Sequence, residues 1–297
     1  MDVSIIIVNY NTKALTLASI ESVYKHTEDV TFEIILVDNA SQEEIYSDVA
    51  NFFPLVKIIL NSENVGFGRA NNLGILMAQG EFIFLLNSDA FLTSNALKHF
   101  KNFMKDPANN NVAICGGELH TGGKDNTVSY GNFPTLSDAF SSIGFYKLYK
   151  SYHAKHIASG VVNINPSIRE VDYICGANMF IRKSILNIVG YFDADFFLYF
   201  EETELSYRIR KNGYVSKIVP TVKIIHLSGA SQNNKSNFNY SSFSHFCRGR
   251  SLYFQKCHGS LYSFAVNVCY ALTEINLSLL GKKKGNIIKK IKIIFSS

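Results

Sequence analysis

The sequence predicts an α/β protein with a mostly parallel, doubly wound sheet and flanking helices, and three observations support this prediction. Segments typical of strands and of helices alternate over about the first hundred residues. The strand-like segments are rich in β-branched residues and almost continuously apolar, as central parallel strands are when both faces are covered. Each of these segments ends in a polar stretch. The chain has 297 residues, of which 47% are hydrophobic, so it can form a large core.

Four strand-to-helix units follow one another along the chain. Strands are predicted at residues 3–10, 32–38, 56–60 and 81–86. Helices are predicted after Thr12, from Gln42 to about Phe53, and from the loop NSENVGFG to about Ala78. The polar stretches that end the strands are NYN, DNAS, NSENVGFG and NSDAF. Doubly wound sheets bind ligands at the carboxyl ends of their strands, so these stretches predict the binding edge.

The pattern changes in the second half of the chain. Residues 117–170 form a region without regular periodicity, which we expect to be a variable surface region rather than another strand-to-helix unit. Regular patterns return at 171–183 and at the strand-like segment 222–229. Residues 240–280 are predicted to be helical, and a lysine-rich tail follows them.

The positive charge is concentrated at the C-terminal end. The net charge is +5, and the last segment, GKKKGNIIKKIKIIFSS, holds six lysines and no acid, so the rest of the chain carries −1. A nucleic-acid-binding protein would carry its basic residues as a patch over the fold, so we expect no nucleic-acid partner. Basic residues interleaved with apolar ones suit an anionic membrane surface, and a merely solvated tail is the alternative.

The cysteine pattern and the apolar segments predict a cytoplasmic protein. The five cysteines are scattered and show no spacing typical of a zinc site, which favours a reducing compartment. A strand-like segment begins directly after Met1 and Asp2, without the features of a signal peptide. No stretch reaches the roughly 18 apolar residues that predict a membrane span.

The loop NVGFGRANNLG has glycines ahead of a helix, but it does not match a dinucleotide-binding motif. The pattern Gly66-x-Gly68-x-x-Asn71 lacks the third glycine, and the loop follows the third strand instead of the first. Two interpretations stay open. The loop is either a plain turn, or it holds a diphosphate at the helix N-terminus with Arg69 beside it.

Asp89 and His226 each lie at the end of an apolar strand. An aspartate in such a turn commonly forms an Asx-turn or a helix cap, and a single histidine is commonly packed or hydrogen-bonded. Both residues and the pair Glu201 and Glu202 follow strand ends or apolar runs, so we expect them to converge on one rim. One carboxylate together with substrate phosphates would suffice for Mg²⁺ or Mn²⁺.

The segment FFLYFEETELSYR changes abruptly from aromatic to acidic residues. If a helix begins there, Glu204 precedes Arg208 by four residues and forms a surface ion pair with it. Acids also favour the first turn of a helix because the helix dipole stabilises negative charge there. Glu202 has no such partner. For Glu202 two interpretations stay open, namely a catalytic role and a purely structural role in the first turn of the helix.

Six motifs together resemble a known family. They are SIIIVNYN, EIILVDNAS, NVGFGRANNLG with the following AQGEFIFLLNSDA, CGANMFIRK, VGYFDADFFLYFEETELSYRIRKNGY and IIHLSGAS. Their order resembles that of the inverting family-2 glycosyltransferases of GT-A fold, most closely the bacterial rhamnosyltransferase-like branch, over about residues 2–232. The resemblance implies a Rossmann-like sheet in a catalytic domain at 1–235, with a nucleotide-sugar-binding half at 1–116 and an acceptor-binding half at 117–235. Residues 236–297 would form a C-terminal helical region with the basic tail.

The resemblance also implies roles for particular residues. The donor would be bound by Asn9, Tyr10, Asp38, Asn64, Gly66, Arg69, Asn72, Asn87 and Ser88. The acceptor side would be lined by Gly176, Ala177 and Asn178. Asp89 ends an Asn-Ser-Asp sequence that replaces the usual Asp-x-Asp, and with His226 it would hold Mg²⁺ or Mn²⁺. The catalytic base would be Glu201 or Glu202, with the second position favoured.

The implied reaction is a single displacement at the anomeric carbon of a nucleoside-diphosphate sugar. dTDP-rhamnose is the leading donor and a UDP-hexose the next. The acceptor would be a saccharide, lipid-linked, in O-antigen or capsule synthesis at the inner face of the cytoplasmic membrane. Two alternatives belong to other classes. A non-catalytic nucleotide-binding module has no use for Glu201, Glu202 and His226, and a sugar-1-phosphate nucleotidyltransferase needs a glycine-rich basic motif where this chain has NYNTKALT.

Overall fold

The computed structural model describes residues 1–123, 126–144, 160–163, 165–227, 238–281 and 284–296. The strands of these residues are β1 Val3–Asn9, β2 Phe32–Asp38, β3 Lys57–Leu60, β4 Phe82–Leu86, β5 Ala90–Leu92, β6 Val112–His120, β7 Val128–Gly131, β8 Gly160–Val162, β9 Arg169–Val171, β10 Tyr173–Ile174, β11 Asn178–Arg182 and β12 Val215–His226. The helices are α1 Lys13–His26, α2 Tyr46–Phe52, α3 Phe67–Met77, α4 Ala96–Lys105, α5 Leu136–Ser142, α6 Lys183–Val189, α7 Glu201–Lys211, α8 Tyr240–His258, α9 Ser260–Leu279 and α10 Ile287–Phe295.

The central sheet has the order β3-β2-β1-β4-β11-β6-β12-β5, with β9 paired to β12. Strands β1 to β4 are mutually parallel. Strand β11 is antiparallel to both β4 and β6, and β12 is parallel to β6, so β6 and β12 run in the same direction as β1 to β4. The prediction of a mostly parallel sheet is confirmed.

Helices cover both faces of this sheet, as the doubly wound prediction requires. On one face, Ile20 of α1 and Phe100 of α4 are fully buried against the strands. On the other face, Ile75 of α3, Leu186 of α6 and Leu205 of α7 are fully buried. Burying an aliphatic or aromatic side chain of this size contributes roughly 1.5–3 kcal/mol, so both layers are held mainly by apolar contacts.

The strand register brings the predicted polar ends to one edge of the sheet. Asn9 at the end of β1 is opposite Asp38 at the end of β2. Asn178 at the start of β11 is opposite Leu86 at the end of β4, and His226 at the end of β12 is opposite Ala90. Residues far apart in the sequence therefore share the edge at which a ligand would bind.

Helix α2 begins four residues later than the sequence predicts. The stretch before it is fixed in a turn, because an Asp38 carboxylate oxygen accepts a hydrogen bond from the Ser41 amide at 3.1 Å. The Asn11 side-chain oxygen accepts another from the Gln42 amide at 2.8 Å. These contacts, together with a φ of +62° at Ala40, hold residues 38–42 in a turn, and the helix begins only at Tyr46.

Strand β6 was not predicted, and it lies inside the sheet. The residues Gly116, Gly117 and Glu118 interrupt its apolar pattern. A Cβ atom at position 117 would lie 2.6 Å from the Val222 carbonyl oxygen of the neighbouring strand, so the close approach of β12 requires glycine. The proposed boundary between residues 116 and 117 falls within this strand, so the two halves share one sheet. The part of the irregular region at 145–159 lies outside the described residues.

Residues 240–280 are helical as predicted, and the lysine-rich tail that follows them contains a further helix. Helices α8 and α9 are separated at Gly259, whose φ is +97°. Helix α10 lies within the predicted tail, and its Lys290 ammonium is 3.1 Å from the Glu274 carboxylate, with both side chains almost fully buried. Among the described residues, no helix is both long enough and apolar enough to cross a membrane.

Candidate active site

The strand ends open into a cavity of about 440 Å³. Six of the residues predicted from the sequence line it, namely Tyr10, Asn64, Gly66, Asn87, Ser88 and Asp89. The convergence of strand ends that the sequence predicts is therefore present, and the strand ends share one open cavity rather than forming separate turns.

Asp89 and His226 meet at this edge. The Asp89 Oδ1 atom lies 3.2 Å from His226 Nε2, and the two side chains are 13% and 12% exposed. They meet because β5, which begins at Ala90, pairs antiparallel with the end of β12. The Leu227 amide also donates a hydrogen bond to the Asp89 carbonyl oxygen at 3.0 Å, which fixes the turn.

The donor set at Asp89 and His226 fits a divalent cation that completes its coordination with substrate oxygens. A carboxylate oxygen and an imidazole nitrogen are both suitable ligands for Mn²⁺, and Mg²⁺ commonly takes one or two carboxylates plus phosphates. Within the described ranges, no group of three or more His, Cys, Asp or Glu side chains forms a metal site.

Asn9 and Asp38 form a buried pair behind the cavity. The Asn9 amide donates hydrogen bonds to Asp38 Oδ1 at 2.6 Å and to Ser41 Oγ at 2.9 Å, and its oxygen accepts one from Thr16 Oγ1 at 2.8 Å. Asn9 is fully buried, so it fixes the two strand ends against each other. Tyr10, in contrast, is exposed and lines the cavity.

Gly66 is required by its turn. Its φ is +89°, and a Cβ atom there would lie 2.3 Å from the Phe197 carbonyl oxygen. That oxygen accepts a hydrogen bond from the Phe67 amide at 2.9 Å, while Asn64 Oδ1 accepts one from the Gly66 amide at 2.9 Å. The glycine loop thus packs directly against the aromatic run that precedes the glutamates.

Arg69 and Asn72 point to the segment before the aromatic run. Arg69 Nε donates a hydrogen bond to the Ala194 carbonyl oxygen at 2.5 Å. The Asn72 amide group both donates to the Phe192 carbonyl oxygen at 2.8 Å and accepts from the Phe192 amide at 3.1 Å. These contacts join α3 to residues 192–194, and contact of either side chain with the donor stays a prediction.

Glu201 and Glu202 begin α7 after a constrained turn. The two residues before them, Tyr199 and Phe200, have φ of +72° and +71°, which is unfavourable for residues with a Cβ atom. Glu201 is 3% exposed, and its Oε2 atom has no hydrogen-bond partner among the described residues. Glu202 is only partly buried, so it is the more accessible carboxylate.

Both glutamates hold their protons more tightly than usual. Burial raises the pKa of Glu201 well above its ordinary value, and the neighbouring Glu202 carboxylate raises it further. Burial also raises the pKa of Glu202, while the backbone N–H groups of Glu202 and Thr203 oppose this shift. A carboxylate with a raised pKa is a stronger base, which is a property required of a proton acceptor at neutral pH.

Glu202 and Asp89 both lie near Cys175, although only Asp89 lines the cavity. Burial, together with the carboxylates of Glu202 and Asp89, raises the pKa of the Cys175 thiol to about 12. Cys175 therefore lies within the electrostatic range of both carboxylates. Burial and then Glu202 also raise the pKa of Tyr173. Asp89, one of the two candidate metal ligands, and Glu202, the candidate base, therefore both lie near the short segment before β11.

The pairing of Glu204 with Arg208 is confirmed, but the expectation of a surface pair is wrong. Arg208 donates two hydrogen bonds to the Glu204 carboxylate, at 2.6 and 2.9 Å. The same guanidinium also donates to the carbonyl oxygens of Val189 and Tyr191. Glu204 is 3% exposed because the 189–191 segment covers this face of α7. The pair therefore holds α7 to the chain that follows α6.

The predicted acceptor segment, Gly176, Ala177 and Asn178, is buried. The Asn178 Oδ1 atom accepts a hydrogen bond from the Gly117 amide at 2.8 Å, and the Ala177 carbonyl oxygen accepts one from the Asn87 amide at 3.1 Å. The segment thereby positions Asn87 beside the cavity. Contact of these three residues with an acceptor stays a prediction.

The sequence analysis missed the contribution of the C-terminal helix α8 to the cavity. Ser241 and His245 of α8 line the cavity together with Phe197 and Leu198. The rings of His245 and Phe197 stack with centroids 4.7 Å apart. Burial lowers the pKa of His245, and the Arg248 guanidinium lowers it further. The only signal in the sequence is the four-residue spacing of Ser241 and His245, which places both on one helix face.

This fold and edge site are those of a glycosyltransferase. The model of the family described as Glycosyl transferase family 2 matches residues 4–186, which is more than half of the chain. The chain therefore belongs to Glycosyl transferase family 2, and the predicted GT-A fold is confirmed.

Similar proteins carry out several different transfers. The chain is 25% identical over 230 residues to the "Low-salt glycan biosynthesis hexosyltransferase Agl10" of Haloferax volcanii, covering 76% of this chain and 67% of that protein. It is 35% identical over 63 residues to an "N-acetylglucosaminyl-diphospho-decaprenol L-rhamnosyltransferase" of Mycobacterium tuberculosis, covering 21% and 20% of the two chains. A structure of the mannosyltransferase PcManGT from Pyrobaculum calidifontis in complex with GDP-Man and Mn²⁺ has a TM-score of 0.56 at 16% identity, covering 99% of this chain and 78% of that one. The last likeness shows a shared fold.

Proposed function

We propose that this chain transfers a sugar, with inversion, from a nucleoside-diphosphate sugar to a saccharide acceptor. The observation that supports this proposal is that two carboxylates, those of Asp89 and Glu202, lie near the same buried thiol at the binding edge. The Asp89 carboxylate lies 3.2 Å from the His226 imidazole. The carboxylates of Asp89 and Glu202 both raise the pKa of the Cys175 thiol. A single displacement needs such an arrangement, because the leaving diphosphate and the attacking hydroxyl lie on opposite sides of the anomeric carbon.

Asp89 and His226 would hold Mg²⁺ or Mn²⁺ between the strand ends and the donor diphosphate. A cation bound there would offset the negative charge that develops on the departing oxygen. The Mn²⁺ in the complex of the mannosyltransferase of similar fold supports this choice of ion. The glycine turn at Gly66 and the side chains of Asn64 and Ser88 line the same cavity and would contact the donor.

Glu202 is the proposed base. Its carboxylate takes the proton from the acceptor hydroxyl as the hydroxyl oxygen forms a bond to the anomeric carbon, while the bond from that carbon to the diphosphate oxygen breaks. The raised pKa of Glu202 makes it a better proton acceptor than an ordinary glutamate. Glu201 lies beneath it in the core, where an acceptor has little access.

dTDP-rhamnose is the proposed donor, and a UDP-hexose is the next candidate. The similarity to a hexosyltransferase and to a rhamnosyltransferase supports both sugars. We propose a lipid-linked saccharide as acceptor, used in bacterial O-antigen or capsule synthesis. The lysine-rich C-terminal segment, apart from the buried Lys290, supports peripheral contact with the inner face of the cytoplasmic membrane, where such an acceptor would lie.

A panel of nucleotide sugars tests the proposed function. The melting temperature should rise with the true donor, and this rise should be much larger with Mn²⁺ than without it, since the cation links donor and protein. NMR of the product formed with that donor should show the opposite anomeric configuration. Formation of a nucleotide sugar from a nucleoside triphosphate and a sugar phosphate, with no transfer to any acceptor, would favour the nucleotidyltransferase instead.

A further inference from the structure

Helix α9 has several polar side chains in the protein interior. Four polar residues of this helix are buried, namely Ser263, Asn267, Thr273 and Glu274. These four residues lie on one side of the helix wheel. That side packs against α8, α5 and α10. The same side also buries Val266, Cys269 and Ala271, so the inward side of α9 is mixed, whereas a helix at a protein surface usually buries a mainly apolar side.

The buried polar groups of α9 are hydrogen-bonded to their neighbours. The Ser263 hydroxyl donates to the Ser251 carbonyl oxygen at 2.9 Å, and the Asn267 amide donates to the Ser251 hydroxyl at 2.7 Å. Arg250 donates to the Asn267 oxygen at 2.9 Å. The orientation of the helix is thus fixed, because rotating it would leave these groups buried without partners.

The opposite side of α9 is a stripe of exposed apolar residues. The stripe consists of Leu261 (83% exposed), Phe264 (58%), Leu272 (47%), Ile275 (39%) and Leu279 (83%). Their spacing follows the helical repeat over the whole length of α9. Single exposed apolar residues are common in proteins, but a contiguous apolar stripe marks a surface that contacts something other than water.

Two neighbouring helices extend the stripe. Leu136 and Phe140 of α5, with Leu261 and Phe264 of α9, line an apolar groove of about 630 Å³. The Phe295 ring of α10 lies with its centroid 6.2 Å from that of Phe264. We call the stripe, this groove and the outward side of α10 the α9 face.

On the α9 and α10 side of the α9 face the exposed charges are positive, while α5 at the other side carries Asp138, which is hydrogen-bonded to Thr135 at the helix N-terminus. The outward side of α10 carries Lys292 between the exposed side chains of Ile288 and Phe295. Lys289 is exposed at the flank of this side, with its ammonium 4.1 Å from the centroid of the Tyr240 ring. Glu274 is the only acid between residue 260 and the end of the sequence, and it is buried against Lys290. An apolar surface with lysines along one side is complementary to an anionic bilayer, in which acyl chains lie beneath negative headgroups.

We propose that the α9 face docks on an anionic bilayer, with α9 lying parallel to the membrane plane. This inference rests on the membrane contact in the proposed function and specifies its surface, which is mainly the apolar side of α9 rather than the lysine tail alone. A helix of 20 residues offers about 30 Å of apolar contact. A second copy of the chain is a poorer partner, because a symmetric contact would bring the lysines of the two copies together.

Co-sedimentation with vesicles, without any substrate, tests this proposal. The full chain should bind phosphatidylglycerol-containing vesicles and bind phosphatidylcholine vesicles weakly. The double variant Phe264→Ser, Leu272→Ser should lose about tenfold or more in vesicle affinity, because two large side chains no longer enter the bilayer. The matched control is Leu55→Ser, Ile188→Ser, which removes two exposed apolar residues elsewhere and should bind as the unmodified chain does.

A second pair of variants tests the charge. Lys289→Gln, Lys292→Gln should weaken binding to anionic vesicles by at least several-fold at low salt. The control variant Lys25→Gln, Lys211→Gln, which removes two lysines elsewhere, should bind anionic vesicles as the unmodified chain does.

Unchanged vesicle binding by the Phe264, Leu272 variant would overturn the proposal. So would a dimer in analytical ultracentrifugation that this variant dissociates while vesicle binding persists. Sugar transfer to a soluble acceptor is measured separately and should be the same in all four variants, so a failure of docking is distinguishable from a failure of the proposed transfer.

Discussion

The carboxylate of Asp89 and the imidazole of His226 lie 3.2 Å apart because two strands of opposite direction meet at their ends. This contact depends on the short strand β5, which the sequence analysis did not predict. Because Asp89 lies in the turn before β5, little of the core depends on its side chain. The pair can therefore be tested by substitution without unfolding the protein.

Replacing Asp89 by alanine should abolish turnover and leave the fold intact. The substitution removes one of the two proposed metal ligands and no core contact. Sugar transfer and the far-ultraviolet circular dichroism spectrum would be measured on the same preparation. Full activity of the unmodified enzyme in excess EDTA would contradict the metal-dependent site, whatever the effect of the substitution.

Glu204→Gln should lower the free energy of unfolding by about 2 kcal/mol, because it weakens two hydrogen bonds to a charged group in a mostly buried setting. The matched control is Asp29→Asn, which breaks the exposed pair with Lys98 and should cost much less. Urea denaturation of both variants measures the difference. Equal losses would mean that the Glu204 pair is energetically a surface pair after all.

Glu201→Gln should stabilise the protein at neutral pH. The pKa of Glu201 is raised by burial, so above its ordinary value of 4.5 the unfolded chain releases a proton that the folded chain keeps. This difference penalises the folded state increasingly as the pH rises toward the folded pKa. Glutamine removes the penalty, so the stabilisation should be present near pH 7.5 and absent near pH 4. A glutamine variant less stable than the unmodified protein at pH 7.5 would contradict the assignment.

Much of the fold follows from the sequence for a clear physical reason. Strands β1 to β4 are short, β-branched, apolar runs bounded by polar residues, and such runs have few alternatives to a covered parallel sheet. The edge site follows as well, because strands that run in parallel place their polar ends together. This is why Asn64, Ser88 and Asp89 could be predicted as neighbours.

Other features depend on contacts that leave no local pattern. Strand β6 contains Gly116 and Gly117, which break the apolar run and are needed because Asn178 and Ile174 pack closely against the first and Val222 against the second. His245 is placed by the packing of α8 against Phe197. Nothing in the sequence around either residue predicts this contact. The apolar stripe of α9 resembles an ordinary buried helix face until the structure shows its polar residues inside.

The central claim is that Glu202 takes the proton of the acceptor hydroxyl, and the turnover of matched glutamine variants tests it most directly. With the true donor and Mn²⁺, Glu202→Gln should lower kcat by roughly 10²- to 10⁴-fold while the donor Kd stays near normal, because glutamine keeps the size of the side chain but cannot accept the proton. Glu201→Gln should lower kcat far less. Normal turnover of the Glu202 variant beside an inactive Glu201 variant would contradict the account and assign the base to Glu201.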